Sequence, residues 1–157
     1  ASRYKIRTHF SKSIGANMHV SIASVNEENQ PTITPIGSLF LNDNLTGFYF
    51  EKFATKLNIN YETNKDICVL AVNSGTLFWL KSLFKNEFKH YPALKLYGKL
   101  GEKRKATEVE IRRLNGRMKS TKGFRGNSYL WGKMEYVRDI SFTKVEKINL
   151  GKMTDKL

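Results

Sequence analysis

Between His19 and Asn73 the hydrophobic period of the chain switches from two to about 3.6 and back, and this switch limits the folds open to it. His19–Val25 sets Val20 and Ile22 between polar or small neighbours and stops at the polar run Asn26–Gln30. Pro31 forces Gln30 out of the helical region and restarts an extended segment. Thr32–Leu41 is the longest strand candidate in this stretch. Pro35 removes a ladder donor and Gly37 a side chain, so this strand is expected to be bent or edge-exposed there. Asn42–Gly47 is turn chemistry, and Gly47–Glu51 is a short aromatic strand with Phe48, Tyr49 and Phe50. Then Phe53, Leu57 and Tyr61 recur at i, i+4 and i+8, which predicts a helix over Phe53–Thr63 with one apolar face. Asn64 suits a left-handed terminus. Ile67–Val72 is a continuous apolar run, as in a strand covered on both faces.

Beyond Asn73 the periods alternate again. Thr76–Tyr91 carries Leu77, Leu80, Phe84, Phe88 and Tyr91 at helical spacing, with Lys81, Ser82, Lys85 and Lys89 opposite. Such a basic amphipathic helix either caps a barrel end with its lysines reaching to solvent or lies on an anionic surface. Leu94–Lys105 alternates as a half-buried strand. Thr107–Glu110 is a capping box that opens a helix lined by Ile111, Leu114 and Met118. Asn115–Asn127 is a basic, glycine-bearing loop. Tyr129–Phe142 is a closing strand, and Val145, Ile148 and Leu150 form a last packed segment. At the N-terminus Tyr4, Ile6 and Phe10 line either a helix or a strand. No repeat or linker divides the chain, so residues 1–157 are read as one domain.

A net charge of +13 implies an anionic partner: a phosphorylated cofactor, nucleic acid or anionic lipid. No apolar run reaches the length of a membrane span, no leader pattern is present, and the expected compartment is the cytoplasm. The single cysteine, Cys68, sits in ICVLAV and reads as a buried small hydrophobe. His9, His19 and His90 are isolated from other ligand types, so no metal site is expected. A nucleophile elbow, a P-loop and a dinucleotide fingerprint are all missing, and no acid–base pair stands out. An enzyme of this composition borrows its chemistry from a cofactor.

The order of these elements resembles a known family. A strand, a second strand with a T-P-I-G element, a third ending in aromatics, and then Thr55-Lys56 opening a helix are similar to the FMN-binding split barrels of the pyridoxamine 5′-phosphate oxidase-like family. The likeness covers Ser13–Val72 and extends to LKLYGKLGEKRKAT with its mid-strand Gly98. It implies a mainly β, antiparallel split β-barrel of about six strands with flanking helices, holding FMN in a groove between the subunits of a homodimer. By position, Thr34, Pro35 and Ile36 would meet the isoalloxazine, Phe50 and Glu51 would border the ribityl chain, and Thr55 and Lys56 would hold the phosphate. Trp131 of the second subunit would cover the ring. EKFATK has fewer Arg and Ser residues than the phosphate turn of the pyridoxamine oxidases, and nothing matches their substrate residues. The expected activity is therefore a flavin-dependent oxidoreductase of unknown substrate. Related split barrels carry a deazaflavin or haem.

The competing reading is a basic barrel without enzymatic activity that tracks single-stranded nucleic acid by stacking bases on its aromatic side chains. The aromatic residues fall at core-like strand positions away from the basic stretches, which favours the flavin reading.

Overall fold

Two of the strands, Pro31–Ile36 (β2) and Leu39–Leu41 (β3), are separated only by Gly37 and Ser38, yet they form opposite edges of one sheet. Three peptide steps span about 11 Å at most. The two edges must therefore meet at this point, and the sheet has to curl into a barrel to let them. β2 and β3 are not paired with each other, so the barrel is split along this seam. Ser38 staples the joint, donating its hydroxyl to the Phe50 carbonyl at 3.1 Å and accepting from the Phe50 N–H at 3.2 Å.

The computed structural model describes residues 5–10, 19–52, 55–121 and 132–157, with Thr55, Ser120 and Thr121 in backbone only. Seven strands pair antiparallel throughout, in the order β2-β1-β5-β6-β7-β4-β3. Besides β2 and β3 they are Val20–Val25 (β1), Thr46–Phe50 (β4), Asp66–Val72 (β5), Ala93–Lys105 (β6) and Tyr136–Lys147 (β7). Helices lie at 5–10 (α1), Thr55–Thr63 (α2), Thr76–Lys85 (α3) and Glu108–Arg117 (α4). This is the expected antiparallel split barrel with flanking helices. It has one strand more than about six because Thr32–Leu41 divides into β2 and β3 around Gly37, where a bend was expected.

The principal core fills the barrel with Val20 and Ile22 of β1, Val69 and Ala71 of β5, Leu96 and Leu100 of β6, and Ile140 of β7. α1 adds Ile6 and Phe10, four residues apart on one helical face, and α2 adds Leu57. A second core, Phe40, Phe48, Phe50 and Val137, is closed by Leu114 and Met118 from α4 and the turn after it. Thr107 caps α4 through the expected box: its hydroxyl accepts from the Glu110 N–H, and the Glu110 carboxylate accepts from the Thr107 N–H. α4 also guards the exposed edge of β3. Arg117 donates to the carbonyls of Gly37 and Leu39 and lies 3.5 Å over the Phe40 ring, while Arg113 donates to the Leu41 carbonyl at 2.9 Å. These contacts occupy edge carbonyls that would otherwise invite a foreign strand. Burial, with Arg113 alongside, pushes Arg117 down to about 10, so it remains a cation at neutral pH.

Several expectations need correction. Asn64 has no left-handed backbone, and Leu150 is exposed, not packed. α3 ends at Lys85, where Asn86 takes a left-handed conformation (φ 50°), so Phe88 and Tyr91 are not helical. The expected inner face of α3 also points outward: Leu77, Leu80 and Phe84 are exposed, Phe84 at 92 %. The helix is held instead by Phe78 and Trp79, which pack on buried Phe88, and by buried Ser82. Among the described residues the last strand begins at Tyr136 and runs past Phe142 to Lys147 so as to pair along the whole of β6, while the expected start at Tyr129 lies outside the described residues. Cys68 is half-buried on the outer face of the sheet, because β5 alternates and its outer face is uncovered. Phe53 and Trp131 lie outside the described residues.

Candidate functional site

The candidate site begins at the joint where β4 passes into α2. Glu51 ends the aromatic strand with its side chain 1 % exposed, and such a buried carboxylate needs a partner. Arg138 of β7 supplies one. Its Nε donates to Glu51 Oε1 at 3.0 Å and its Nη2 to Oε2 at 3.2 Å, from a side chain 7 % exposed. Nη2 also donates to Asn58 Oδ1 of α2 at 3.0 Å, Nη1 donates to the Gly101 carbonyl at 2.9 Å, and the guanidinium lies 4.4 Å over the Tyr61 ring. One side chain thus ties β4, β6 and α2 together. The Tyr49 hydroxyl donates to Glu51 at 3.4 Å; burial, first, and then the Glu51 charge push its phenol up, so it stays a neutral donor.

α2 is anchored from its middle as well. Asn60 is 1 % exposed and donates through Nδ2 to Ser24 Oγ at 2.7 Å and Thr32 Oγ1 at 2.9 Å, so α2 lies against β1 and β2. Asn60 sits three residues after Leu57, on the buried face of the helix, where the sequence pattern predicts an apolar residue.

These anchors define where each expected site residue falls. Thr34 and Ile36 share the inner side of β2 with Thr32, the side on which α2 packs; Thr34 is half-buried and Ile36 buried. Pro35 points to the outer face and is exposed. Lys56 is exposed in the first turn of α2, directly after Thr55, whose side chain is not described. No acidic residue occupies that turn. The Phe50 ring is buried in the second core, edge-on to Phe40 and Phe48, so a ligand at this joint meets its backbone and not its ring. Glu51 is taken up by Arg138, with Lys103 Nζ 3.9 Å away.

The structure therefore brings the β2 segment and the start of α2 onto one side of the barrel. It separates them from the Phe50 ring. The free N–H groups of a helix start, an adjacent exposed ammonium and a neutralised carboxylate suit a phosphate. Without Arg138, Glu51 would oppose an anion at this joint. Among the described residues, no cluster of three or more His, Cys, Asp or Glu is placed to hold a metal.

No protein-family model matches the chain, and no curated protein matches its sequence. Solved structures do match. An FMN-binding protein from Syntrophomonas wolfei superposes with a TM-score of 0.62 at 14% identity, covering 95% of this chain and 89% of that one. A Listeria innocua protein provisionally assigned as a pyridoxamine 5′-phosphate oxidase gives 0.57 at 16% identity, over 94% and 98%. The fold is the pyridoxamine 5′-phosphate oxidase-like split barrel. HutZ, the haem storage protein of Vibrio cholerae, shares it with a TM-score of 0.56 at 12% identity, over 89% and 92%. At such identities the likeness establishes the split-barrel architecture, and proteins of this architecture differ in what they bind.

The sequence did not point to Arg138, Asn58 or Asn60. A usable signal was the pair of opposite charges at strand positions that alternation turns inward, Glu51 and Arg138, since each requires a buried counter-charge.

Proposed function

We propose that this chain binds FMN and acts as a flavin-dependent oxidoreductase on a small-molecule substrate, with two copies forming the cofactor grooves. The observation that carries the reading is the joint just described: an exposed Lys56 in the first turn of α2, five residues after a buried carboxylate already cancelled by Arg138. In this reading Lys56 and the N–H groups around Thr55 hold the phosphate. Thr34, Pro35 and Ile36 present the backbone and side chains that meet the ring, and the backbone at Phe50 and Glu51 borders the ribityl chain. Trp131 of the second copy covers the ring. The flavin, when bound, would supply the electron transfer.

The outer face of the sheet supports a homodimer. Register puts Ile33, Ala23, Cys68 and Tyr97 in one row across β2, β1, β5 and β6, and Pro35, Ser21, Leu70 and Lys95 in the next, so these rows are uncharged over β2, β1 and β5 and carry Lys95 on β6. Ile33 is 72 % exposed and Ser21 and Ala23 are small, so a second copy can approach closely over an apolar surface. Pro35 lies on this same face, which puts part of the proposed ring contact at the seam. The nucleic-acid reading gains nothing from Phe40, Phe48, Tyr49 and Phe50, which are buried and cannot stack on bases.

Reconstitution with FMN followed by desalting tests the reading. Retained flavin absorption at one equivalent per chain is expected. A chain that sheds FMN but retains haem under the same treatment would overturn it.

A further inference from the structure

We infer that the far end of the barrel holds a second ligand site, for a small organic anion with an apolar body. A cavity of about 460 Å³ opens there between α1, the segment that follows α3, and the hairpin end where β6 begins and β7 finishes. Pockets that take small molecules run from about 300 to 1,000 Å³. Its carbon wall comes from Ile6, Leu94 and Val145, and the ring of Tyr91. Lys89 and Lys147 line it from two sides, both exposed, with Lys147 Nζ 5.0 Å from the Tyr91 ring centroid. Lys5, His9, His90, Thr8, Asn73 and Leu157 line it too, and among the described residues no Asp or Glu does.

An apolar wall bordered mainly by lysines selects a ligand with the opposite pattern: a hydrocarbon or aryl body carrying one carboxylate, sulfate or phosphate. The body removes the carbon wall from water, and the lysines meet the headgroup. A bare phosphate gains only the second contribution and an alcohol only the first. The site is separate from the α2 joint within one chain. Lys103, which reaches toward Glu51, stands nine residues along β6 from Leu94, about 30 Å in an extended strand. The proposal does not depend on the flavin reading.

Sodium decanoate below its micellar concentration is the probe, followed by calorimetry with and without saturating FMN, against decanol and inorganic phosphate. The expected result is saturable 1:1 decanoate binding that FMN leaves unchanged, with decanol about tenfold weaker and phosphate not saturating. Lys89→Ala with Lys147→Ala should weaken decanoate about fivefold, a modest loss because both ammoniums are solvent-exposed. The control pair Lys65→Ala with Lys99→Ala should leave it unchanged, and thermal midpoints check that both variants fold. The proposal is overturned by failure to saturate, by equal binding of decanol and decanoate, by equal effects of the two lysine pairs, or by competition with FMN. Competition would assign the binding to the flavin groove.

Discussion

Replacing Arg138 by Leu removes four hydrogen bonds at once and leaves the Glu51 carboxylate, 1 % exposed, without its fork. What remains is the Tyr49 hydroxyl at 3.4 Å and a half-exposed Lys103 at 3.9 Å. Breaking one side of a buried pair costs about 3–5 kcal/mol, because the stranded charge stays desolvated. In a chain of this size that lowers the thermal midpoint by roughly 6–20 °C. The half-exposed pair Lys95–Glu146, at a similar 3.0 Å, sets the scale for an ordinary contact, and Lys95→Ala should cost about 0–1 kcal/mol. Urea unfolding followed by circular dichroism measures both. Combining Glu51→Gln with Arg138→Leu should recover part of the loss, since no unpaired charge then remains. A loss for Arg138→Leu no larger than for Lys95→Ala would refute the claim that this pair organises the joint.

Other predictions follow from single contacts. The Arg104 guanidinium, and after it the Thr107 N–H, hold the Glu110 carboxyl down to about 2, so the stabilisation is present above the ordinary carboxylate range near 4.5 and is lost as pH falls through about 2; Glu110→Gln should flatten acid unfolding in that window. A Cβ at Gly98 would stand 2.4 Å from the Ser141 carbonyl, so Gly98→Ala should cost about 1–3 kcal/mol, whereas Gly116→Ala, with nothing within 4 Å, should stabilise by about 0.4–1 kcal/mol. Ile33→Glu puts a charge on the exposed β2 end of the proposed seam and should give a folded monomer by sedimentation; an unchanged dimer would move the interface elsewhere.

The barrel was largely legible because alternation and turn chemistry are local. Val20 and Ile22 face inward as their spacing requires, and the capping box at Thr107 starts α4 where it was read. α3 was misread because helical spacing reveals that a face is apolar but not whether anything covers it. Its packing is decided by Phe88, which follows a left-handed residue that no periodicity shows. The β2–β3 division was half legible, since Pro35 and Gly37 marked a bend but not that the chain crosses there from one sheet edge to the other. That Thr55 and Lys56 open a helix was legible from the spacing around them. The tie from Arg138 to Glu51 was not, because it joins residues 87 apart.

The central claim is that the start of α2 holds a flavin phosphate, and FMN affinity in Lys56→Ala against Lys65→Ala tests it most directly. Lys65 lies just past the far end of the same helix, 5.1 Å from the Tyr61 ring, and matches the change in net charge. A charge-assisted contact of about 1.5–3 kcal/mol predicts that Lys56→Ala weakens FMN by about ten- to more than a hundredfold, with Lys65→Ala near the parent value. Riboflavin, which lacks the phosphate, should bind all three proteins alike. Equal FMN affinities for the two variants would contradict the account and return Lys56 to the general positive field of the surface.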